Sequence, residues 1–260
     1  MTDITTDRYV RYAVDEGFGT LTLDSPHNRN AISSKLLAEL TAGLSNAAAD
    51  ENVRAVVLTH TGNTFCAGAD LTETREADPA VATDKRTRSM IELLRSIVEH
   101  PKPVIAQIDG HVRAGGMGIL AACDLVVAGP ASTFALTEVR IGVAPFMISL
   151  TLLPRLKPRA ASRYYLTGEK FDAHTAAEIG LVTIAADDAA AAVAGLKTAL
   201  GKASPQGLEE SKRLANASIV AEFDAHADEL AERSARFFGT EEAVEGMTAF
   251  LQKRPPRWAL

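Results

Sequence analysis

Cysteine and long apolar runs are scarce in this sequence, and its 27 Lys and Arg residues are outnumbered by 33 Asp and Glu residues. Only two cysteines occur among 260 residues, Cys66 and Cys123. Two cysteines without a secretory signal do not form a disulfide framework. Because both have apolar or glycine-rich neighbours, we expect them to be buried free thiols.

These absences also exclude classes of partner. The net charge is −6, and no dense Lys/Arg stripe supplies the basic face that phosphate binding needs. No run approaches the roughly 18 apolar residues of a membrane span. The first ten residues are polar and acidic, whereas a secretory signal is basic and then apolar. The sequence therefore predicts a cytoplasmic protein that binds neither nucleic acid nor a membrane.

What remains is the composition of an ordinary globular protein, with 47% hydrophobic and 23% charged residues. A chain of 260 residues is long enough to bury a full core, as one large domain or as one domain with an appendage.

Residues 101–142 hold the most informative pattern in the chain. A short Val/Ile-rich run at 103–108, bounded by turn residues, predicts a buried strand. Glycines at 115–118 then lead into a short apolar helix, and a second apolar run follows at 125–128. At such a helix start, unpaired N–H groups and the positive end of the helix dipole favour a developing negative charge. The pattern therefore predicts an oxyanion site.

One carboxylate lies close to this site in the sequence. Glu138 comes just after another short apolar segment, residues 134–136, and is a candidate acid/base. The alternative is that Glu138 caps a helix or forms a surface ion pair.

The preceding residues alternate strands and helices. Period-2 residues predict a hairpin over 9–23, and Ser33 is placed to cap an amphipathic helix. A further strand is predicted at 54–58, whereas residues 72–82 are charged and predicted to be mobile. This order predicts an α/β fold with a mostly parallel sheet.

From Pro145 onward the pattern is helical. Pro158 can open one helix, and Asp172, Ser204 and Thr240 can cap three others. This Ala-rich last third is predicted to pack on the sheet and on a neighbouring subunit.

Together these segments resemble the enoyl-CoA hydratase/isomerase, or crotonase, superfamily over nearly the whole chain. The resemblance rests on the order and spacing of Asn30-Ala31, FCAGAD at 65–70, KPVIA at 102–106, Gly115-Gly116, Cys123-Asp124, Glu138, LTGEKFDA at 166–173, EIGLV at 178–182 and FLQKR at 250–254. It implies a crotonase-like stack of ββα units over residues 1–200 and a C-terminal helical oligomerisation region over 201–260. A homotrimer or homohexamer is implied as well.

The resemblance implies an acyl-CoA thioester as substrate. No separate cofactor is expected, because coenzyme A is part of the substrate. Family members hold the thioester oxygen with two backbone N–H groups, and the matching positions here are Ala67 and Gly115. One preorganised donor of this kind contributes about 2.7–4 kcal/mol.

At one position the sequence departs from the family pattern. Hydratases of this family use two glutamates to hold and activate one water. Glu138 matches the second, whereas the first falls at Gly118, as in the single-glutamate isomerases of the family. Residues 145–149, PFMIS, replace a glycine-rich segment of the family, and their bulky side chains, with Pro145 and Phe146 assigned to the pocket, are expected to reshape the pocket wall. Gly118→Glu is expected to raise hydration if Met117 and Phe146 leave room; the alternative is that the added side chain blocks the acyl chain.

For the CoA moiety, the resemblance implies contacts from loop 27–31 and from a phenylalanine and a lysine near the C-terminus that can reach a neighbouring subunit. The residues assigned to substrate or CoA binding are Arg29, Ala31, Ala69, Asp70, Leu71, Phe250 and Lys253. Asp70 is expected to fix its loop and cap the next segment rather than touch the reacting atoms. His111 and Arg113 lie near Gly115 in the sequence without an assigned role.

The sequence gives little support to a dinucleotide-binding site or to a metal site. Residues 116–121 satisfy the G-x-G-x-x-A dinucleotide pattern, but a loop separates the glycines from the strand before them, and Glu138 does not end the next strand. No His-x-x-x-His or paired-cysteine spacing indicates a metal. Three functions stay open: an enoyl-CoA hydratase with an oxyanion hole and one glutamate, an isomerase or other enolate-forming acyl-CoA enzyme, and a non-catalytic acyl-CoA-binding protein.

Overall fold

A computed structural model of the chain describes residues 8–75 and 79–260. The acidic N-terminal residues 1–7 lie outside the described residues. So do residues 76–78, in the middle of the segment that the sequence predicts to be mobile. On either side of that gap, a 3-10 helix spans Leu71–Arg75 and an α-helix begins at Pro79.

The described chain alternates strands and helices. The strands are β1 (Val10–Asp15), β2 (Phe18–Leu23), β3 (Ala55–His60), β4 (Thr64–Cys66), β5 (Val104–Ile108), β6 (His111–Arg113), β7 (Leu125–Ala128), β8 (Thr133–Ala135), β9 (Phe171–Asp172) and β10 (Ile184–Ala185). The helices are α1 (Ser34–Ala49), α2 (Pro79–Val98), α3 (Gly115–Ala122), α4 (Ser149–Leu152), α5 (Pro158–Thr167), α6 (Ala173–Glu178), α7 (Ala189–Gly201), α8 (Pro205–Phe238) and α9 (Glu241–Leu251). Further 3-10 helices span Pro26–Asn28 and Glu138–Ile141.

The strands form two sheets, whereas the sequence predicts one. The first sheet has six strands in the order β1-β2-β3-β5-β7-β10, parallel except for the β1–β2 hairpin. The second has four strands in the order β4-β6-β8-β9. After β3, β5 and β7 the chain crosses to the second sheet, which gives the ββα repeat. The strands β4, β6 and β8 have three residues each, too few for period-2 alternation to reveal them.

The first sheet is covered on both faces, which explains its continuous apolar strands. Val57, Ile105 and Val127 pack with Ala189 and Val193 of α7. The alternate residues of the same strands face the main core with α1, α2 and α3. Both cysteines are buried free thiols, as predicted, and burial raises the pKa of each to about 12.

The predicted helix starts are confirmed. The side chains of Ser33, Asp172, Ser204 and Thr240 each accept a hydrogen bond from a backbone N–H in the first turn of the helix that follows. Pro158 is the first residue of α5, as predicted. Each such cap stabilises its helix by about 1 kcal/mol.

A buried polar cluster joins the C-terminal helices to the α/β core. Lys212 of α8 donates to Asp124 Oδ2 at 2.8 Å and to the carbonyls of Ile97 and Lys102 at 2.9 and 3.2 Å. Asn216, one turn further along α8, donates to Asp124 Oδ1 at 2.8 Å. The loop between α3 and β7 is thereby fixed to α8.

Candidate active site

The glycine-rich helix start predicted from the sequence exists. Helix α3 begins at Gly115, directly after β6. Ala114 has a positive φ (46°), and its N–H donates to Ala135 O at 3.1 Å. The N–H groups of a first turn have no partner within their helix. In the described part of the chain, the Gly115 N–H has no hydrogen-bond acceptor and is free to bind a ligand.

His111 and Arg113, which the sequence left without a role, fix the strand that leads to Ala114. His111 Nδ1 lies 2.9 Å from Thr133 Oγ1, and Arg113 donates to Thr133 O at 2.6 Å and to Thr133 Oγ1 at 2.8 Å. Both side chains therefore tie β6 to β8. Their role is to position the backbone before α3.

The structure contradicts Ala67 as the second oxyanion donor. The Ala67 N–H donates to Arg29 O at 3.2 Å, so it is already occupied. Two residues later, Ile32 and Ala69 form a parallel bridge: the Ile32 N–H donates to Gly68 O, and Ile32 O accepts from the Asp70 N–H. Because Ile32 carries both bonds, the Ala69 N–H faces away from it.

Ala69 therefore replaces Ala67 as the candidate donor. Over the described residues, the Ala69 N–H has no acceptor. Its loop contacts the start of α3 through Gly68: a Cβ on Gly68 would lie 2.9 Å from Ala114 Cβ and 3.8 Å from the Gly115 nitrogen. The free N–H groups of Ala69 and Gly115 thus lie on two loops in direct contact.

Gly68→Ala tests this contact. Gly68 has φ +93°, and an added Cβ would meet Ala114 Cβ at 2.9 Å, so the two loops must separate. We expect turnover to fall about 10²-fold, because a displacement near 1 Å costs that much in a positioned site. The measurement is kcat on an acyl-CoA substrate. Gly201→Ala is the control, since nothing lies within 4 Å of its added Cβ. Equal losses in both variants would contradict the oxyanion role.

Glu138 is a buried carboxyl group with an unsatisfied oxygen. It opens the 3-10 helix Glu138–Ile141 that follows β8, and it is only 8% exposed. Within the described residues, its Oε2 makes no hydrogen bond. Burial raises its pKa to about 7, because a low-dielectric site disfavours the charged form. A cap or a surface ion pair, the structural alternatives, would instead give the carboxylate a partner.

The hydroxyl groups of Tyr165 and Ser149 form a pair that the sequence does not predict. The Tyr165 hydroxyl lies 3.1 Å from Ser149 Oγ, which donates to Pro145 O at 2.6 Å. Burial, with a further contribution from the charge of Glu138, raises the pKa of Tyr165 to about 12. Tyr165 is therefore neutral. No sequence motif marks this tyrosine, which lies 27 positions from Glu138 in the chain.

The predicted pocket wall at Pro145 and Phe146 is supported by a distant helix. The Phe146 ring packs edge-on against Phe237 of α8, with 4.9 Å between the ring centroids. The guanidinium of Arg233, also on α8, lies 5.1 Å from the centre of the Phe146 ring. A cation–π contact of this kind adds about 0.5–1 kcal/mol. The C-terminal region thus helps to shape this wall.

Gly118 is buried, and the space beside it is filled by Ile148, one of the bulky residues of segment 145–149. A Cβ on Gly118 would lie 2.3 Å from Ile148 Cγ2 and 2.7 Å from Ile148 Cβ. Ile148, rather than Met117 or Phe146, therefore limits the room. The room on which the expected gain of Gly118→Glu depends is therefore not present beside Gly118, because the first carbon of the new side chain would collide with Ile148 unless Ile148 moves.

The residues assigned to CoA binding have separate environments. Arg29 is exposed with a left-handed backbone (φ 59°), and its side chain makes no hydrogen bond to any described residue. Asp70 fixes its own loop, as expected: it accepts from the Thr72 N–H at 3.0 Å and from Asn28 Nδ2 at 3.4 Å. Ala31 is buried, and Leu71 begins the 3-10 helix Leu71–Arg75.

Phe250 and Lys253 lie at the C-terminal end of α9 and are exposed. Helix α9 packs directly on the 3-10 helix that carries Glu138. A Cβ on Gly246 would lie 2.4 Å from Ile141 O, so the two backbones touch. The end of the chain therefore supports the element that holds the acid/base candidate.

A cleft away from Glu138 is lined by polar groups that already have partners within the protein. A cleft of about 500 Å³ between the end of α2 and α8 is lined by His100, Glu209 and Lys212. His100 bonds to Leu44 O at 3.1 Å and to Lys102 O at 2.9 Å. Its imidazole nitrogens and the Lys212 ammonium are thus paired within the protein, as expected of structural groups.

Residues 8–75 and 79–260 hold neither a metal-binding cluster of side chains nor a membrane-spanning helix. No cluster of three or more His, Cys, Asp or Glu there could hold a metal ion. None of the helices there is long and apolar enough to span a membrane.

The raised pKa of Glu138 predicts a pH-dependent stability. Its pKa lies at about 7 in the folded protein against 4.5 ordinarily, so the folded state binds this proton more tightly and stability falls as pH rises between those values. Glu138→Gln cannot ionise. We expect it to be more stable than the native protein by up to about 3 kcal/mol at pH 8, with little gain at pH 4.5. Urea unfolding at both pH values measures the difference, and an equal gain at both would contradict the raised pKa.

Comparison with known proteins agrees with this fold. A sequence model described as enoyl-CoA hydratase/isomerase matches residues 14–259. The 2,3-dehydroadipyl-CoA hydratase of Escherichia coli (strain K12) is 33% identical over 239 residues, covering 91% of this chain and 92% of that protein. The crystal structure of an enoyl-CoA hydratase from Mycobacterium avium has a TM-score of 0.91 and 56% identity, covering 97% of this chain and 100% of that chain. The corresponding values for an enoyl-CoA hydratase from Mycobacterium smegmatis are 0.76 and 31%, with 97% and 99% covered. The match covers nearly the whole sequence, and the chain therefore belongs to the enoyl-CoA hydratase/isomerase family.

Proposed function

We propose that this protein acts on an acyl-CoA thioester, with Glu138 as its single acid/base. The observation that carries the proposal is the buried, unpartnered Oε2 of Glu138. A buried carboxyl oxygen left without a hydrogen-bond partner among the described residues is available to a substrate. Its pKa of about 7 suits both uptake and release of a proton near neutral pH.

The free N–H groups of Ala69 and Gly115 supply the second part of the proposal. Removal of a proton from the carbon next to a thioester, or addition to its double bond, moves negative charge onto the thioester oxygen. Two donors aimed at that oxygen stabilise the enolate, each by about 2.7–4 kcal/mol. The start of α3 adds the favourable end of its helix dipole.

The CoA part of the substrate brings its own negative charge. Arg29, exposed and without a described partner, is a suitable cation for a CoA phosphate. Lys253 and Phe250 at the end of α9 offer a second cation and an apolar surface. Coenzyme A enters as part of the substrate, so the proposed reaction needs no other cofactor.

Two reactions are open to such a site. Hydration of a 2-enoyl thioester is supported by the names of the relatives, and Glu138 would then hold the water without a second carboxylate. Movement of a double bond from the 3- to the 2-position is favoured by Gly118, because it requires only one proton carrier.

The test is to incubate the pure protein with crotonyl-CoA and with a 3-enoyl-CoA while measuring the binding of a saturated acyl-CoA by calorimetry. We expect conversion of at least one substrate, with kcat/KM dependent on a group of pKa about 7. Tight binding without conversion of either substrate would replace the proposal with an acyl-CoA-binding function.

We also propose that the protein assembles as a trimer or hexamer. Large apolar side chains of α9 and the tail are exposed, among them Val244, Phe250, Leu251 and Trp258, and exposed apolar side chains concentrated in one part of the chain favour an interface there. Sedimentation at micromolar concentration is expected to give three or six copies. A monomer with unchanged acyl-CoA affinity would contradict this assembly.

A further inference from the structure

The start of α4 is docked against α3 at Gly118. Ile148 places its Cγ2, Cβ and Cα at 2.3, 2.7 and 3.3 Å from the point where a Gly118 Cβ would be. Thr151, one turn further, donates to Gly118 O at 3.1 Å. Gly118 lies three residues beyond Gly115 and hence on the same side of the helix. A branched apolar side chain therefore fills the space one helical turn from the free Gly115 N–H.

The same segment reaches the surroundings of Glu138. Ser149 follows Ile148, and its Oγ lies 3.1 Å from the Tyr165 hydroxyl. Tyr165 lies on α5, and the end of α5 is bonded to the 3-10 helix that carries Glu138, because Arg140 Nε donates to Thr167 O at 3.3 Å. The residues at the start of α4 thus connect the Gly118 side of the site to the acid/base side.

The chemistry of Ile148 affects what can occupy this space. A bound water needs two or more polar partners. Glu138 supplies one, but on the Gly118 side there is no side chain, and Ile148, only 2% exposed, offers methyl groups alone. A water held for attack on a double bond would be poorly satisfied there. Proton transfer between two carbon atoms by one carboxylate requires no water.

We propose that Ile148 is a specificity-determining residue that excludes the attacking water, so that a 3-enoyl thioester is the preferred substrate class. This inference rests on the proposed role of Glu138. The Glu138 carboxylate takes a proton from Cα of the 3-enoyl thioester, and the electron pair forms a dienolate whose oxygen accepts from Ala69 and Gly115. The Glu138 carboxyl group then returns the proton to Cγ, which leaves a 2-enoyl thioester. The proton is conserved, and no other reactant is consumed.

The experiment compares Ile148→Thr with Ile148→Val. Threonine and valine have the same shape, but threonine places a hydroxyl group where a water could bind. We expect the native protein to isomerise a 3-enoyl-CoA at least tenfold faster than it hydrates crotonyl-CoA. The ratio of hydration to isomerisation should rise at least tenfold in Ile148→Thr relative to Ile148→Val.

Exchange of the Cα proton of butyryl-CoA in deuterated water separates this inference from the proposed function. That exchange needs Glu138 and the oxyanion donors but no attacking water, so we expect it in the native protein and in both variants. A native protein that hydrates faster than it isomerises, or equal ratios in the two variants, would overturn the role of Ile148 while exchange persists. Loss of exchange in the native protein would instead overturn the proposed function. If Ile148→Thr does not fold, Ile148→Ala, which opens space for water, replaces it with the same expected rise.

Discussion

Glu138→Gln is expected to lower turnover about 10³-fold while leaving acyl-CoA affinity nearly unchanged. Glutamine keeps the shape of the side chain but cannot take or give the proton. The described residues offer the buried Glu138 Oε2 no hydrogen-bond partner, so the substitution breaks no hydrogen bond of that oxygen in the folded protein. A loss of turnover would therefore report on chemistry rather than on folding.

Steady-state kcat and calorimetric binding of a saturated acyl-CoA measure the two quantities separately. Glu178→Gln is the matched control, because Glu178 is an exposed carboxylate on α6, and we expect no change in either quantity. If Glu138→Gln turned over as fast as the native protein, Glu138 would have no part in the mechanism.

Asp124→Ala is expected to lower the free energy of unfolding by about 3–5 kcal/mol. The side chain of Lys212 is only 4% exposed, and Asp124 is its acidic partner at 2.8 Å. Removal of Asp124 leaves the ammonium buried without a counter-charge. It also removes the acceptor of the Val104 N–H and of Asn216 Nδ2.

Urea unfolding measures this loss. Asp187→Ala is the control, since Asp187 is exposed and precedes the cap of α7, and we expect a change within about 0.5 kcal/mol. Asp124→Ala combined with Lys212→Met should recover part of the stability, because the double variant leaves no buried charge. A loss below about 1 kcal/mol in Asp124→Ala would show that the cluster is not a principal link between α8 and the core.

The candidate site was predictable from the sequence only in part. Glu138 follows a short apolar run, Gly115 precedes one, and family resemblance supplies their roles. Ala67 was a wrong assignment, because motif spacing does not say which N–H of a loop is free. The bond from Ala67 to Arg29 O joins residues that are distant in sequence. Only the folded chain shows that the Ala69 N–H has no acceptor among the described residues and is available to a ligand.

The sequence by itself determined the features that depend on near neighbours. The strand runs of the first sheet, the caps at Ser33 and Ser204 and the absence of a side chain at Gly118 all follow from residue type and local spacing. Tertiary structure decided the second sheet, the packing of Phe237 on Phe146 and the placement of Ile148 in the space beside Gly118. These features depend on which distant segments meet. Close packing leaves room for one side chain where two segments meet, and local preferences do not encode which segment supplies it.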